Sequence, residues 1–426
     1  MSVFIGYPSF MAYEMMKGKK GNNDGFPSIT GMIARYSALG LTNEQMAANP
    51  VWVDKTGNGH DLQMKNFAWK EGSGISDVYL GALVFDGVDD HGTCNNFPIL
   101  TKEKGYTVVV LRQYLVEKST AYLTANGDSI PNTSFIFEGN NYTDTWNFGK
   151  ATRIQASRIL ATQTSKQYDG VKLNIGTNAE GSNLLQVGKW SKSYSNVAIW
   201  ELVFLDHDAT EEELTKIKDY FVKTYPWLFP DQAWTVVGKT NEDEDRATIA
   251  NITGNGNDLV CLNLGFIEGS GYNEEGEYAG YLVTDGVDDR VVSKQFKFGE
   301  NFTVILDFKF PVKKISYCGF DLSSKVRIQN LQGSGVYVVL KGNRTLIPSN
   351  VVRAVTSEGK VYDENWNEYN IVPGNISSNY TMVNLGFDGS NQFAESATKL
   401  AGIYSSILSK DECIKAYSYL QTLKAK

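Results

Sequence analysis

An all-β fold of two tandem β-sandwiches, each closed by a short C-terminal α-helix, is the architecture this 426-residue sequence predicts. Three observations carry it. First, a pair of signatures occurs twice: TGNGHDLQMKNFAWKEGSGI at 56–75 with FDGVDDH at 85–91, and TGNGNDLVCLNLGFIEGSGY at 253–272 with TDGVDDR at 284–290. A period of about 200 residues is too long for a solenoid and suits a whole sandwich. Second, short runs rich in Val, Ile, Tyr, Phe and Thr recur between turn residues, as in YTVVVLRQYLV (106–116), NFTVILDFKF (301–310) and GVYVVL (335–340). Third, each copy closes on a strand followed by a helix pattern.

Bulk properties narrow the function. Apolar residues at 42% and charged residues at 21% describe an ordinary folded chain. The net charge of −8, with no Lys/Arg run beyond Lys17–Lys20, lacks the electrostatic footprint of a nucleic-acid binder. No apolar run reaches the length needed to span a bilayer, so no membrane insertion is expected. The start has no basic region ahead of its apolar residues and reads as mature sequence. Cys94 lies in the first copy and Cys261, Cys318 and Cys413 in the second, at unmatched positions. Free thiols are therefore predicted, as in a reducing cytosol.

In chain order, residues 1–29 have no counterpart before the second copy and read as an N-terminal arm. It is either an extra strand or cap on the first domain or an attachment to another subunit. The first domain is placed at 30–229 and the second at 230–426. GLTNEQ (40–45) parallels GKTNED (238–243), so the match begins ahead of the TGNG signature. Asn58-Gly59 and Asn255-Gly256 are type I′ turn signals; Asp86-Gly87 and Asp285-Gly286 repeat the turn chemistry. The pattern E-G-x-x-Y-x-x-x-W-N then occurs at 138–147 and 358–367. Thr210-x-x-Glu213 and Ser409-x-x-Glu412 are capping boxes that start the two closing helices. Pro226 and Pro230 end the first helix and make a stiff connection.

Candidate chemistry sits at two motifs. Glu138, Tyr142 and Trp146, with Glu358, Tyr362 and Trp366, are the sugar-contact candidates, because an aromatic face packs on a pyranose ring and a carboxylate accepts from hydroxyls. The competing reading is a Tyr/Trp cross-strand pair that fixes a hairpin. Asp86, Asp89 and Asp90, with Asp285, Asp288 and Asp289, offer hard oxygens for calcium, but aspartates at a DG turn read first as turn residues. His60, His91 and His207 share no chemistry, since the second copy has Asn257 and Arg290 in place of the first two. No catalytic residue and no metal set is assigned.

GNG(H/N)DL, (F/T)DGVDD and the closing strand with its capped helix together resemble the concanavalin A-like lectin/glucanase superfamily, closest to its laminin-G-like jelly rolls. The style of GKTNEDEDRATIANITGNGNDL is similar to virion proteins of tailed phages of gut Bacteroides relatives, including crAss-like phages. The resemblance implies concanavalin A-like jelly rolls that bind carbohydrate, sometimes with calcium. The E-x-D-x-x-E carboxylates of the glucanase branch are not found, so no enzyme is expected.

These readings point to a phage virion structural protein, a fibre, head-decoration or tail-associated component displaying lectin-like domains for host-surface polysaccharide. It would be made in the host cytoplasm, held to other virion proteins by the arm, exposed on the particle and homo-oligomeric. The alternatives are a secreted or surface bacterial carbohydrate-binding protein and a glycan-degrading enzyme.

Overall fold

The protein is all-β. The computed structural model describes residues 24–100, 105–116, 121–125, 135–138, 155–156, 160–164, 183–190, 192–310, 316–323, 325–330, 336–375, 380–387 and 393–425. The chain divides into two compact units, Met1–Thr224 and Tyr225–Lys426. The division falls ahead of the 229/230 junction read from the sequence, because the turn Pro226–Leu228 packs on the second unit. There Tyr404 Oη donates to the Trp227 carbonyl at 3.0 Å and Lys415 Nζ lies 4.2 Å from the Trp227 ring centroid.

In the first unit the long strand Asn196–Leu205 anchors the front sheet. Thr107–Tyr114 pairs along one edge; Ala82–Asp86 and Met32–Ser37 share the other. Residues 197–205 are all buried, because the core covers one face and the helix Glu211–Thr224 covers the other. That helix lays Leu214, Ile217, Tyr220 and Phe221 inward. The back sheet runs Val51–Trp52, Leu62–Lys65, His91–Cys94, Leu185–Val187, Ala121–Ala125 and Phe135–Glu138 in spatial order. In Leu62–Lys65 burial alternates in step with the pleat. One apolar cluster joins the two sheets, with Tyr36, Phe85 and Val108 from the front and Trp52, Leu62 and Leu123 from the back.

The second unit repeats this layout. Glu395–Tyr404 is flanked by Thr303–Lys309 on one edge and by Tyr281–Asp285 and Gln232–Thr235 on the other. Val351–Thr356, Lys360–Tyr362 and Glu368–Asn370 extend the front sheet, and an eight-stranded back sheet closes the sandwich. Both capping boxes form as expected: Glu213 N donates to Thr210 Oγ1 at 3.2 Å and Thr210 N to Glu213 Oε2 at 2.9 Å, with 3.3 and 2.8 Å for Ser409 and Glu412. All four cysteines are buried free thiols.

Of the 1–29 segment, residues 1–23 lie outside the described residues. Its end docks on the first sandwich, with Phe26 buried 4.0 Å beneath the Arg35 guanidinium and Asp24 2.7 Å from Arg35 Nη1.

Candidate functional site

The repeated signatures act through their side-chain amides. Asn43 and Asn241 each imitate a strand: Nδ2 donates to the carbonyl of Ile75 or Tyr272 and Oδ1 accepts from the same residue's N–H, all at 2.7–2.8 Å. The last glycine of EGSG is required there. Gly74 (φ +145°) and Gly271 (φ +153°) occupy a left-handed backbone, and a Cβ would collide with the asparagine oxygen. The TGNG turn differs from the type I′ expectation. Gly57 and Gly59 take positive φ while Asn58 does not, and likewise Gly254 and Gly256 without Asn255. The asparagine instead reaches back, Asn58 Nδ2 to the Ile33 carbonyl and Asn255 Nδ2 to the Asp231 carbonyl, both at 2.8 Å.

The DGVDD aspartates lie close enough for their oxygens to fall within 4.8 Å of one another in both copies. Asp86 Oδ1 accepts from Val88 N (2.8 Å), and Asp90 Oδ2 from Asp86 N (3.0 Å); Asp285 and Asp289 do the same at 2.8 and 2.9 Å. Asp90 Oδ1 and Asp289 Oδ1 are enclosed with no hydrogen-bond partner. Burial pushes the Asp90 carboxyl up to about 6 and raises Asp289 too, with the Ser73 or Ser270 hydroxyl pulling the other way. The residues do not fit a calcium cage. Ca²⁺ takes 6–8 oxygens, whereas each turn brings three carboxylates together and two of their oxygens are already committed to amides.

The sugar-contact candidates separate. Glu138 ends the strand Phe135–Glu138, which pairs with Ala121–Ala125 in the back sheet. Glu358 follows Val351–Thr356, which pairs with Thr303–Lys309 in the front sheet. The two E-G-x-x-Y-x-x-x-W-N matches are therefore not the same element, contrary to their reading as a repeat. A short pattern recurring at a shifted offset does not define a shared strand order. Tyr142 and Trp146 lie outside the described residues. In the second copy Glu358 is exposed in the turn before Lys360–Tyr362, and Trp366 stands in the turn after it. Tyr362 is buried, and burial followed by the Glu368 charge pushes its hydroxyl up to about 12.

Trp366 is half-buried and held at φ +61°, a conformation a bulky residue seldom adopts. Asp363 sets this turn by accepting from Asn365 N and Asn367 N, both at 2.9 Å. The Trp366 ring meets Tyr417 of the closing helix edge-on at 5.8 Å and Tyr362 at 6.2 Å. Beneath Tyr417 lies a polar cluster that the sequence reading missed. The buried Asp307 accepts from Tyr281 Oη (2.8 Å) and Tyr417 Oη (3.0 Å) and pairs with Arg353, whose guanidinium lies 4.6 Å from the Tyr417 ring centroid. Burial opposes the Arg353 charge, but Asp307 holds its pKa above the usual value; burial and Asp307 raise both phenols.

Two further cations complete the face. Lys309 Nζ is 4.3 Å and Lys399 Nζ 5.9 Å from the Tyr281 ring centroid, and Lys309 also lies 5.9 Å from Tyr278. Among the described residues, no carboxylate lies within ion-pair distance of either ammonium. The available signal was Asp307 and Lys309 alternating with apolar residues in NFTVILDFKF. The outcome is a half-buried surface of Tyr278, Lys309, Lys399, Trp366 and Tyr417 on the outer front sheet, with two lysines beside the Tyr281 ring.

No protein-family model and no curated protein matches this chain. Among solved structures it is similar to a Trypanosoma rangeli sialidase in complex with sialic acid at 8% identity and a TM-score of 0.33, covering 54% of this chain and 42% of the sialidase. It is also similar to the botulinum neurotoxin type G receptor-binding domain at 12% identity and a TM-score of 0.28, covering 45% of this chain and 51% of that domain. The chain thus spans about half or less of the length of these proteins. Likenesses this weak carry no argument about function, which rests on the geometry above.

Proposed function

We propose that the chain is a structural protein of a phage particle, a fibre, head-decoration or tail-associated component, whose sandwiches hold host-surface polysaccharide. The observation that carries the recognition half is the pairing of Lys309 and Lys399 over Tyr281 beside the half-buried Trp366 and Tyr278. Two ammonium groups beside one ring, neither within ion-pair distance of a described carboxylate, offer charge-assisted contacts to an acidic ligand. Tyr and Trp rings offer flat apolar area for sugar C–H faces. The particle half follows from the sequence style, with the N-terminal arm, residues 1–29, as the attachment to other virion proteins. One weak sugar contact of millimolar affinity supplies only about −4 kcal/mol. Display of many copies, as a homo-oligomer on a particle, raises avidity by roughly 10²–10⁴.

Two measurements test this reading. Mass spectrometry of purified virions should find the chain, and its absence would remove the particle half. Acidic capsular polysaccharide should bind the protein, and Lys309→Glu/Lys399→Glu should abolish retention. Release of reducing ends from that polysaccharide would instead make the chain a glycan-degrading enzyme.

A further inference from the structure

The back sheet of the second unit ends on a strand whose outer edge stays open among the described residues. Elsewhere the longer edges are closed off. Asn43 and Asn241 occupy those of Gly74–Ser76 and Gly271–Asn273. On Met32–Ser37 the Arg35 N–H and C=O bond to Asp54 and Lys55, and on Gln232–Thr235 those of Ala233 bond to Asn251 and Ile252. The remaining described edges run two to four residues, apart from Asn343–Ile347, which has five and no register shift. A straight open edge is a template for another strand.

The hairpin decides which groups are on offer. Lys341 and Gly342 form a two-residue turn with φ of +49° and +100°, so Leu340 and Asn343 are its closing hydrogen-bonded pair. Bonded pairs then recur at Val338–Thr345 and Val336–Ile347. The N–H and C=O of Arg344 and Leu346 therefore point away from the neighbouring strand, and no described residue bonds them. Both side chains are exposed, Leu346 at 41%.

This edge is complementary to itself. In an antiparallel pair centred on Thr345, each Arg344 stands opposite Leu346 of the second copy, and the outward N–H and C=O groups all gain partners. Thr345 meets its own counterpart, a favourable cross-strand pair. Centring on Arg344 would instead set two guanidiniums opposite each other, so charge selects the register. Asn343, at the end of the pairing, holds the Val372 carbonyl at 3.0 Å, and Val372 is 78% exposed. An uncovered valine therefore flanks the seam.

We propose that two copies of this chain join through Asn343–Ile347 about a two-fold axis, which makes one continuous sheet from their second units. Self-complementarity is what such an isologous contact requires. The seam is short, so the dimer belongs with the weak interfaces. It uses none of the lysines or rings of the glycan surface, and the two readings fail separately. Sedimentation equilibrium of the full chain, from micromolar to near-millimolar concentration, should show monomer and dimer in exchange. Leu346→Pro removes an outward N–H that bonds nothing within the strand pair and should abolish the dimer. Leu346→Lys sets like charges opposite and should weaken it; Leu346→Glu faces Arg344 of the second copy and should tighten it. Each change should be about three- to tenfold, from two symmetric pairs. Unaltered melting temperatures would keep these effects on the seam. A dimer untouched by Leu346→Pro, or one that responds alike to Leu346→Lys and Leu346→Glu, would overturn the proposal. So would a chain that stays monomeric throughout, which would return the edge to a strand of a different protein. Retention of acidic polysaccharide by that monomer would leave the glycan reading standing.

Discussion

The two copies agree in their backbone staples and disagree beneath their closing helices. Asn43 and Asn241 make the same paired bonds, and Asp54 and Asn251 accept from equivalent amides, those of Arg35 and Thr56 in one copy and Ala233 and Thr253 in the other. Under the helices the chemistry is rearranged. The first copy buries Arg35 against Glu201, with Nε and Nη2 at 3.1 and 3.2 Å from the carboxylate and Tyr220 Oη at 2.9 Å. The second has Ala233 and Leu400 at those positions, and its acid sits across the strand pair. Glu201 pairs with Leu111, whereas Leu400 pairs with Asp307. One acid therefore occupies this cross-strand pair in each copy, on opposite strands. Backbone satisfaction pins a residue to a position; an ion cluster needs only opposite charge and a helix Tyr nearby, so it drifts.

The largest effect expected separates these clusters. Arg35→Met leaves Glu201, fully buried, without its bidentate partner, and breaking such a pair costs about 3–5 kcal/mol. Arg353→Met should cost less, about 1–3 kcal/mol, because Tyr281 and Tyr417 still donate to Asp307. Urea unfolding should show the loss in one transition for each variant. Equal costs would mean the clusters are energetically the same despite their geometry. The staples should behave oppositely: Asn43→Ala and Asn241→Ala should each cost about 1–3 kcal/mol, and by matching amounts. A wide gap between them would break the claimed equivalence.

This division marks what could be read in the chain. The staples lie inside or beside the repeated signatures, so the two-copy all-β plan and the capped helices were legible from local chemistry. The role of Asn58 and Asn255 was not. An N-G pair signals positive φ at both central residues, but tertiary carbonyls from a distant strand captured the asparagine side chain instead. The E-G-x-x-Y-x-x-x-W-N match misled for a related reason: a pattern carries no information about which sheet its preceding strand joins. The Arg35–Glu201 pair spans 166 positions and the Asp307–Arg353 pair 46. Neither has a counterpart at the same site in the other copy, so the repeat could not reveal them. For the same reason the Lys309–Tyr281–Lys399 convergence became visible only once three neighbouring strands shared a face.

The smallest effect tests whether the DGVDD turns are structural in both copies. Asp90 has a folded pKa of about 6 against 3.8 for an unperturbed carboxyl, and Asp289 moves in the same direction. The native state therefore keeps a proton between about pH 4 and pH 6 that the unfolded chain releases. Stability should fall as pH rises through that window and then level off. Asp90→Asn removes the buried charge and retains an oxygen to accept from Asp86 N. At pH 7 it should stabilise the first copy by on the order of 1 kcal/mol, with the gain vanishing by about pH 4. Asp289→Asn should act in the same direction on the second copy. Added calcium should move neither melting transition. If calcium stabilised the wild-type chain and both asparagine variants lost that response, the enclosed oxygens would be ligands, and the agreement between the copies would belong to a metal site rather than a turn.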